Sequence, residues 1–193
     1  MRALTSLTLI ALLGALTACD TAPSRPAQAA EPTYEEARNL PLRSANYAAA
    51  DELVRLAGLT TASATSNRAN TGGPLIVATL ASIDALEQSS TLGRFVSEQV
   101  ASRLSQTGLS VVDLKVRNGI YMKRNEGEFM LTREIRDVAA AHKAQGVIVG
   151  TYAESANFVH ITLKLVDPAN SLVLAAYDYS LPLDKQVKSM IRR

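Results

Sequence analysis

The sequence predicts an α/β (α+β) domain in which helices pack on a single mixed β-sheet. Continuous apolar runs alternate with segments of helical periodicity, and this order predicts parallel βαβ crossovers. Later in the chain, two segments with alternating polar and apolar residues are joined by a short turn, and strands joined in this way must be antiparallel. The sheet is therefore expected to begin with parallel crossovers and to end with antiparallel hairpin strands.

The domain is predicted to span residues 44–184 and to begin with a helix that starts at Ser44 and ends at Gly58. The apolar face of this helix consists of Tyr47, Ala50, Leu53, Val54 and Ala57. Residues 60–73 are rich in Ser, Thr, Asn and Gly, which predicts a mobile loop.

The first crossover is predicted between residues 75 and 116. LIVATL (75–80) indicates a strand covered on both faces, and SVVDLKV (110–116) indicates a half-buried strand. Between them a helix is expected from Thr91 to Gly108, with Ser89, Ser90 or Thr91 as its N-cap. The inner face of this helix consists of Leu92, Phe95, Val96, Val100 and Leu104.

The second crossover contains a hairpin excursion and another helix. Residues 120–131 predict a hairpin around Asn125-Glu126-Gly127. Thr132 can then cap a helix that is expected to end at Gly146. Its inward-facing residues are Ile135, Val138 and Ala139. VIVGTYA (147–153) predicts the next buried strand.

The final hairpin joins NFVHITLKLVD (157–167) to SLVLAAYDYSL (171–181). A turn with proline in its second position is expected at Asp167-Pro168-Ala169-Asn170. Residues 185–193 are predicted to form a basic C-terminal tail.

Residues 1–18 have the layout of a signal peptide: Arg2 gives a positive start, and an apolar run from Leu4 to Leu16 follows. This run is shorter than the roughly 20 residues that span a bilayer. LTAC, at residues 16–19, resembles the lipobox of bacterial lipoproteins, so Cys19 is predicted to carry the lipid anchor. The alternative is an ordinary signal peptide whose cleavage leaves a free cysteine.

Residues 19–43 contain Pro23, Pro26, Pro32 and Pro41 and few apolar residues, which predicts an extended tether. At about 3.1 Å per residue, some twenty residues would reach about 60 Å from the membrane. A leader without a spacing role is the alternative.

Charge and cysteine content exclude several classes of protein. The chain has 20 Lys and Arg against 18 Asp and Glu, and cleavage after Ala18 removes Arg2 and lowers the formal net charge from +2 to +1. This balance gives no electrostatic reason to expect nucleic acid as a partner. A chain with one cysteine has no intramolecular disulfide, so a hydrophobic core must stabilise the domain.

The sequence does not point to catalysis, to a metal or to another cofactor. Neither His142 nor His160 has the spacing of a metal ligand, and no Gly-x-Ser-x-Gly nucleophile motif occurs. Glu126 and Glu128 fall at a predicted hairpin tip. Gly72-Gly73-Pro74 precedes a strand, whereas a phosphate-binding loop precedes a helix. We therefore expect no enzyme activity and no small-molecule substrate.

Arg94, Tyr152, Tyr177 and Tyr179 are the candidate protein-binding residues. They lie near the ends of predicted strands and helices, and arginine and tyrosine are favoured at binding hot spots. Core tyrosines with a hydrogen-bonded hydroxyl are the alternative explanation.

Several stretches also carry a family resemblance. The most specific are Ser90-Thr91-Leu92-Gly93-Arg94 and Val149-Gly150-Thr151-Tyr152. They occur within SSTLGRFVSEQVASRLSQTGLSVVDL and VIVGTY, and the chain also contains ANYAAADELV, GEFMLTRE and LVDPANSLVLAAYDYSL. From Ala45 to about Leu183 the chain resembles the FlgO-like flagellar outer-membrane lipoproteins.

The resemblance implies a non-enzymatic lipoprotein that is linked to flagella and motility and lies at the outer membrane. It also implies a fold similar to that of the N-terminal domain of the Tol system's periplasmic propeller protein and of the lipoproteins that activate peptidoglycan synthases. No catalytic residues come with it. The expected partners are the membrane, through the lipid anchor, and flagellar or other envelope proteins.

Three alternatives to this interpretation stay open, and the first is a lipid-anchored hydrolase. Asp20 resembles the inner-membrane retention signal of enteric bacteria, which would place the protein at the inner membrane. The chain could also be a regulatory lipoprotein that spans the periplasm on its tether and acts on an envelope enzyme or secretion complex.

Overall fold

The structure is a computed structural model that describes residues 32–59, 72–86, 88–113, 120–122, 129–131 and 133–191. The chain divides into two units, residues 1–33 and 34–193, and all of the described helices and strands belong to the second. The predicted signal peptide, Cys19, residues 60–71 of the predicted loop, the hairpin tip at 125–127 and the proposed cap Thr132 lie outside the described residues.

The described helices and strands follow the predicted order, with two further helices and one further short strand. The helices are α1 (Tyr34–Arg38), α2 (Pro41–Leu56), α3 (Thr91–Gln106), α4 (Arg133–Ala141) and α5 (Lys185–Ile191). The strands are β1 (Leu75–Val77), β2 (Ala81–Ser82), β3 (Val111–Asp113), β4 (Ile120–Met122), β5 (Phe129–Leu131), β6 (Gly146–Glu154), β7 (Phe158–Val166) and β8 (Val173–Pro182).

The main sheet has six strands and is mixed. Five of them follow the order β3-β1-β6-β7-β8, and β2 pairs with β6 beyond the end of β1. β1 runs parallel to both β3 and β6, whereas β6, β7 and β8 are antiparallel neighbours. β4 and β5 form a separate antiparallel pair. The predicted fold class, parallel crossovers followed by hairpin strands, is confirmed.

Helices pack on both faces of the sheet. One core cluster joins α2, α3 and α5 to one face, and it includes Leu75, Val77 and Leu80. The other cluster joins α4 to the opposite face, and it includes Ile76 and Ala78. Successive residues of a strand point to opposite faces, so the predicted burial of LIVATL on both faces is confirmed.

The predicted ends of two helices are confirmed. Ser90 is the N-cap of α3, and its side-chain oxygen accepts a hydrogen bond from the Gly93 N–H at 3.2 Å. Gly108, which follows α3, has φ +89°, and Gly58, which follows α2, has φ +66°. Both lie in the left-handed region that glycine adopts most readily.

The start of α2 was predicted too late. The helix begins at Pro41 rather than Ser44, and α1 occupies part of the segment that was predicted to be an extended tether. Proline is well suited to the first turn of a helix because its φ is already helical and its missing N–H has no intrahelical acceptor there. Leu42 is buried and adds to the inner face of α2, so the packed domain begins before residue 44.

The prediction of a basic C-terminal tail was wrong for residues 185–191, which form α5. The Asp184 carboxylate accepts a hydrogen bond from the Val187 N–H at 2.8 Å and caps this helix. Val187 is 2% exposed, and Met190 and Ile191 pack against the same core cluster. The spacing of these three residues is that of one helical face, which the basic composition of the segment obscured.

The predicted end of α4 was also wrong. The helix ends at Ala141, and Lys143 adopts φ +51° in the turn that follows. Gly146 is the first residue of β6 and pairs with Leu75. A side chain at Gly146 would meet Leu165 Cδ1 at 2.7 Å, so this glycine permits close packing within the sheet and does not cap the helix.

Candidate functional site

The Ser89–Arg94 segment leads into α3 and contacts Leu80, which lies between β1 and β2. The Ser89 hydroxyl donates a hydrogen bond to the Leu80 carbonyl oxygen at 2.8 Å. A Cβ at Gly93 would lie 2.4 Å from that same carbonyl oxygen. Glycine is therefore required at this position for the helix to begin so close to the strand.

Arg94 lies in the first turn of α3 and is exposed. Its guanidinium donates a hydrogen bond to the Thr91 hydroxyl at 3.3 Å. The N-terminal end of a helix carries partial positive charge, so a cation there does not stabilise the helix. Arg94 therefore gains no stabilisation from the helix dipole, and its side chain is open to solvent.

Tyr152 lies in β6, directly below the start of α3. Its side chain is 6% exposed, and its ring comes within 3.1 Å of the place where a Cβ of Gly93 would stand. In the sheet, Tyr152 pairs with Ser82 of β2 and with Ile161 of β7. Tyr152 is therefore part of the contact between sheet and helix.

Tyr177 and Tyr179 lie on the same face of β8. Their rings are stacked, with centroids 6.4 Å apart and planes inclined by 25°. Tyr179 pairs with Ile161, which places it in the same row across the sheet as Tyr152. Both tyrosines of β8 pack against the core cluster that α2 and α3 cover.

The Tyr179 hydroxyl belongs to a polar network that spans three elements. It donates a hydrogen bond to Oδ1 of the fully buried Asn46 of α2 at 2.5 Å. The Asn46 Nδ2 in turn donates to Oε1 of Gln99 in α3 at 2.6 Å. Burial raises the pKa of the Tyr179 hydroxyl, which keeps it protonated as the donor. The network ties β8, α2 and α3 together.

The structure brings together three of the four predicted protein-binding residues: Tyr152, Tyr177 and Tyr179 lie on one face of the sheet. Tyr152 and Tyr179 serve the packing between sheet and helices, which was the alternative explanation for these residues. Tyr177 is half-buried, and Arg94 is exposed at a different element. Sequence reasoning missed Asn46, although a polar residue four positions before Ala50 on the apolar face of α2 is a signal that could have identified it.

A second polar cluster lies on the outer side of α2 and α3. Arg103 forms two hydrogen bonds of 2.8 Å with the Asp51 carboxylate, and its guanidinium carbon lies 5.6 Å from the centre of the Tyr47 ring. A groove of about 460 Å³ between the C-terminal ends of the two helices is lined by Asp51, Val54, Arg55, Gly58, Leu59, Arg103 and Thr107. Because Arg55 is likewise paired with Glu52, these charges already neutralise one another.

Neither a metal cluster nor a membrane-spanning helix is found in the described ranges. Within residues 32–59, 72–86, 88–113, 120–122, 129–131 and 133–191, no three His, Cys, Asp or Glu side chains come together as ligands. Over the same ranges, no helix has both the length and the hydropathy to cross a bilayer.

The described elements define the chain as an α+β domain with one mixed sheet and helices on both of its faces. A protein-family model described as "FlgO protein" matches residues 47–186, which is more than half of the chain. The chain belongs to the FlgO family, and the resemblance seen in the sequence is confirmed. No curated protein matches the chain.

Several solved structures are similar to this chain. The LpoB C-terminal domain from Salmonella enterica is 12% identical, with 74% of this chain and 98% of that chain covered and a TM-score of 0.48. Lipoprotein GNA1162 from Neisseria meningitidis is 17% identical, with 59% of this chain and 83% of that chain covered and a TM-score of 0.41. The PelC dodecamer from Paraburkholderia phytofirmans is 16% identical, with 57% of this chain and 71% of that chain covered and a TM-score of 0.40.

Proposed function

We propose that this chain is an outer-membrane-anchored bacterial lipoprotein whose domain binds other proteins and has a structural or assembly role in flagella and motility. The observation that carries the proposal is the match of the FlgO family model to residues 47–186. This range runs from the middle of α2 to the start of α5 and so includes every strand of the sheet.

The protein-binding part of the proposal is supported by Arg94. This side chain is exposed in the first turn of α3, where a cation opposes the helix dipole, and so it has a cost to folding that a binding role would explain. Arginine is also among the residues that most often dominate interface energies.

The non-enzymatic part of the proposal follows from the sequence. The single cysteine is assigned to lipid, and the sequence has no Gly-x-Ser-x-Gly nucleophile motif. Turnover in a broad hydrolase screen with the purified domain would contradict this part.

The lipid anchor is proposed at Cys19. Cells that produce the chain should incorporate labelled palmitate into the wild-type protein and not into a Cys19→Ser variant. Acyl label that stays on Cys19→Ser, or a wild-type protein that is free in the periplasm with an unmodified thiol, would refute the anchor.

The outer membrane is the proposed location, because flagellar function in this family is expected there. Separation of the two membranes by density tests it directly. Co-migration with inner-membrane markers would show that Asp20 acts as a retention signal and would make the outer-membrane assignment wrong.

A regulatory role is the second candidate, and the proline-rich segment before the domain favours it. The described domain begins with α1 at Tyr34, so the segment to shorten is residues 20–33. If the domain must reach across the periplasm, this deletion abolishes function but leaves the thermal unfolding of the domain unchanged. Full function of the shortened protein would exclude the candidate.

The flagellar role is tested by deleting the gene and restoring it in single copy. We expect the deletion strain to swim poorly and to carry fewer or less stable flagella, and the wild-type gene to restore both properties. Unchanged swimming, flagellar number and flagellar stability after deletion would refute the flagellar part of the proposal.

A further inference from the structure

β8 lies at one end of the strand order, and β7 is its only partner among the described strands. The pairing of these two strands runs from Val173 to Pro182, which is the full length of β8. On the side that faces away from β7, no strand lies beside β8 in the part of the chain that the structure describes. The main-chain groups on that side therefore form an open sheet edge.

The strand register shows which residues of β8 direct their main-chain groups to this edge. The Leu183 N–H donates to the carbonyl oxygen of Asn157 at 2.8 Å, one step beyond the pairing of β7 with β8. In an antiparallel pair, residues bonded in this way alternate with residues whose N–H and C=O groups point away from the partner strand. The outward residues of β8 are therefore Ala176, Asp178 and Ser180, which we call the outer edge of β8.

The position of Pro182 agrees with this assignment. It has the same alternation as the outer edge, so the N–H that proline lacks falls on the outward side, where proline is tolerated in a sheet. Ala176, Asp178 and Ser180 are exposed, and their main-chain groups bond to no other described segment. Three N–H and three C=O groups are thus open to a partner at every second residue.

An open row of main-chain groups favours one class of ligand. Only another extended backbone presents C=O and N–H groups at the same spacing, so the complementary ligand is a strand. Because the outer edge runs from Ala176 to Ser180, a segment of about five residues would use all of its main-chain groups.

A second copy of the chain would fit this edge poorly. A two-fold pair of β8 strands that used all three outward residues would be centred on Asp178, and this residue would lie opposite itself. Like charges directly opposite each other destabilise a strand pair. Asp178 therefore opposes self-pairing, as charges on natural edge strands do, and it allows a partner strand whose opposite residue is not acidic.

The side chains next to the outer edge indicate what the partner strand should carry. Tyr177 and Tyr179, which precede and follow Asp178, are half-buried, and their stacked rings lie on the α2 side of β8. A strand beside β8 would place every second side chain on this same side, next to the two rings. Large apolar residues at alternate positions would suit it. Residues 20–31 and 60–71 of the chain itself, which lie outside the described residues, have no aromatic or branched aliphatic side chain.

We propose that the outer edge of β8 binds an extended segment of a partner protein as an additional strand of the sheet. The main-chain groups of Ala176, Asp178 and Ser180 pair with the segment, and its alternate apolar side chains lie beside Tyr177 and Tyr179. This inference rests on the proposed protein-binding function and names the surface and the conformation of the partner.

Photo-crosslinking in living cells tests the inference. The full-length chain would carry p-benzoylphenylalanine at Ala176 or Ser180, with matched controls at the exposed positions Glu98 of α3 and Arg136 of α4. We expect the two β8 positions to give adducts with one protein. Mass spectrometry should locate both adducts within the same short segment, which should have large apolar residues at alternate positions.

Asp178→Pro tests the main-chain bonds themselves. The change removes the outward N–H at the centre of the outer edge and no bond to β7, so the domain should stay folded, which thermal unfolding checks. We expect the adduct yield from Ala176 to fall about tenfold, whereas Asp178→Asn, which keeps the N–H, should change the yield by less than about twofold. Ser180→Pro, also measured from Ala176, takes the place of Asp178→Pro if that variant does not fold.

The other outcomes separate this inference from the proposed function. Adducts at Glu98 or Arg136 without adducts at the β8 positions would support protein binding and overturn strand pairing at β8. Adducts of the β8 positions with a second copy, with lipid or with residues 20–31 or 60–71 of the same chain would also overturn it. An unchanged yield in a folded proline variant would do the same. Failure at all four positions overturns the pairing, and it refutes the proposed function as well if cells without the gene swim normally.

Discussion

The hydroxyl of Tyr179 donates a hydrogen bond to the side-chain oxygen of Asn46, 133 positions earlier in the sequence. The bond joins the last strand of the sheet to the first long helix of the domain. Because Asn46 is fully buried, water cannot replace the tyrosine as its partner. This contact is the clearest link between the two ends of the folded domain.

Tyr179→Phe removes that donor and leaves the ring in place. The Asn46 oxygen then stays buried without its partner, so we expect the free energy of unfolding to fall by about 1 to 2 kcal/mol. Urea denaturation of the purified domain measures the change. Tyr177→Phe is the matched control, since Tyr177 stacks on Tyr179 but does not bond to Asn46. An equal loss in the control would contradict the role of the Asn46 bond.

The same contact predicts a dependence of stability on alkaline pH. Burial raises the pKa of Tyr179 above its ordinary value of 10.0, so above about pH 10 the unfolded chain loses this proton more readily than the folded one. The stabilisation is complete below pH 10 and is lost as the pH rises beyond it. We expect the stability of the wild-type domain to fall more steeply between about pH 10 and 11 than that of Tyr179→Phe. Parallel curves for the two proteins would rule out this linkage.

Gly93→Ala tests the close approach of α3 to the backbone at Leu80, between β1 and β2. The new methyl group would lie 2.4 Å from the Leu80 carbonyl oxygen, and a backbone atom there cannot move aside without displacing the helix. We expect a loss of about 2 kcal/mol or more. Gly108→Ala is the control: its φ of +89° is strained for alanine but nothing lies within 4 Å, so about 1 kcal/mol is expected. Thermal unfolding of both variants measures the two losses. A larger loss of stability in Gly108→Ala than in Gly93→Ala would contradict the steric argument.

The order of strands and helices could be predicted from the sequence because its signals are local. LIVATL is apolar throughout since both faces of β1 are covered, and the alternation in β7 follows from one covered and one open face. The positions of Ser90 and Gly108 identified the ends of α3 because caps and left-handed turns restrict residue type.

The residues that join distant segments could not be predicted in the same way. The partner of Asn46 is set by tertiary packing, and nothing near either residue in the sequence specifies the other. The rows of side chains across the sheet likewise depend on the register of β6, β7 and β8, which places Ala153, His160 and Ser180 side by side. Of the predicted binding residues, Arg94 has the expected exposure, whereas the burial of Tyr152 and Tyr179 became apparent only once the helices were placed over them.

Val187→Asp tests whether α5 belongs to the domain core. The side chain of Val187 is 2% exposed, and burying an unpaired carboxylate there is so unfavourable that we expect α5 to detach, with a loss of about 2 to 4 kcal/mol. Lys188→Asp, at the exposed neighbouring position, replaces a cation by an anion in the last turn of α5, so we expect a loss of no more than about 1 kcal/mol. Denaturation by urea compares the two variants. Equal, small effects would show that α5 does not stabilise the domain.

Arg94→Glu separates binding from folding at the residue that carries the proposed protein-binding role. Glutamate in the first turn of α3 interacts favourably with the helix dipole, so the free energy of unfolding should rise by about 0.3 to 1 kcal/mol. If Arg94 contacts a carboxylate of a partner, the same change replaces attraction by repulsion, and swimming should be impaired although the domain is more stable.

Arg136→Glu, on the exposed side of α4, reverses the charge at a control position and should leave swimming unchanged. Soft-agar motility and thermal unfolding, measured side by side, give both quantities. Normal swimming with Arg94→Glu would show that Arg94 does not contribute to binding. Impaired swimming together with reduced stability would show that the substitution acts through folding.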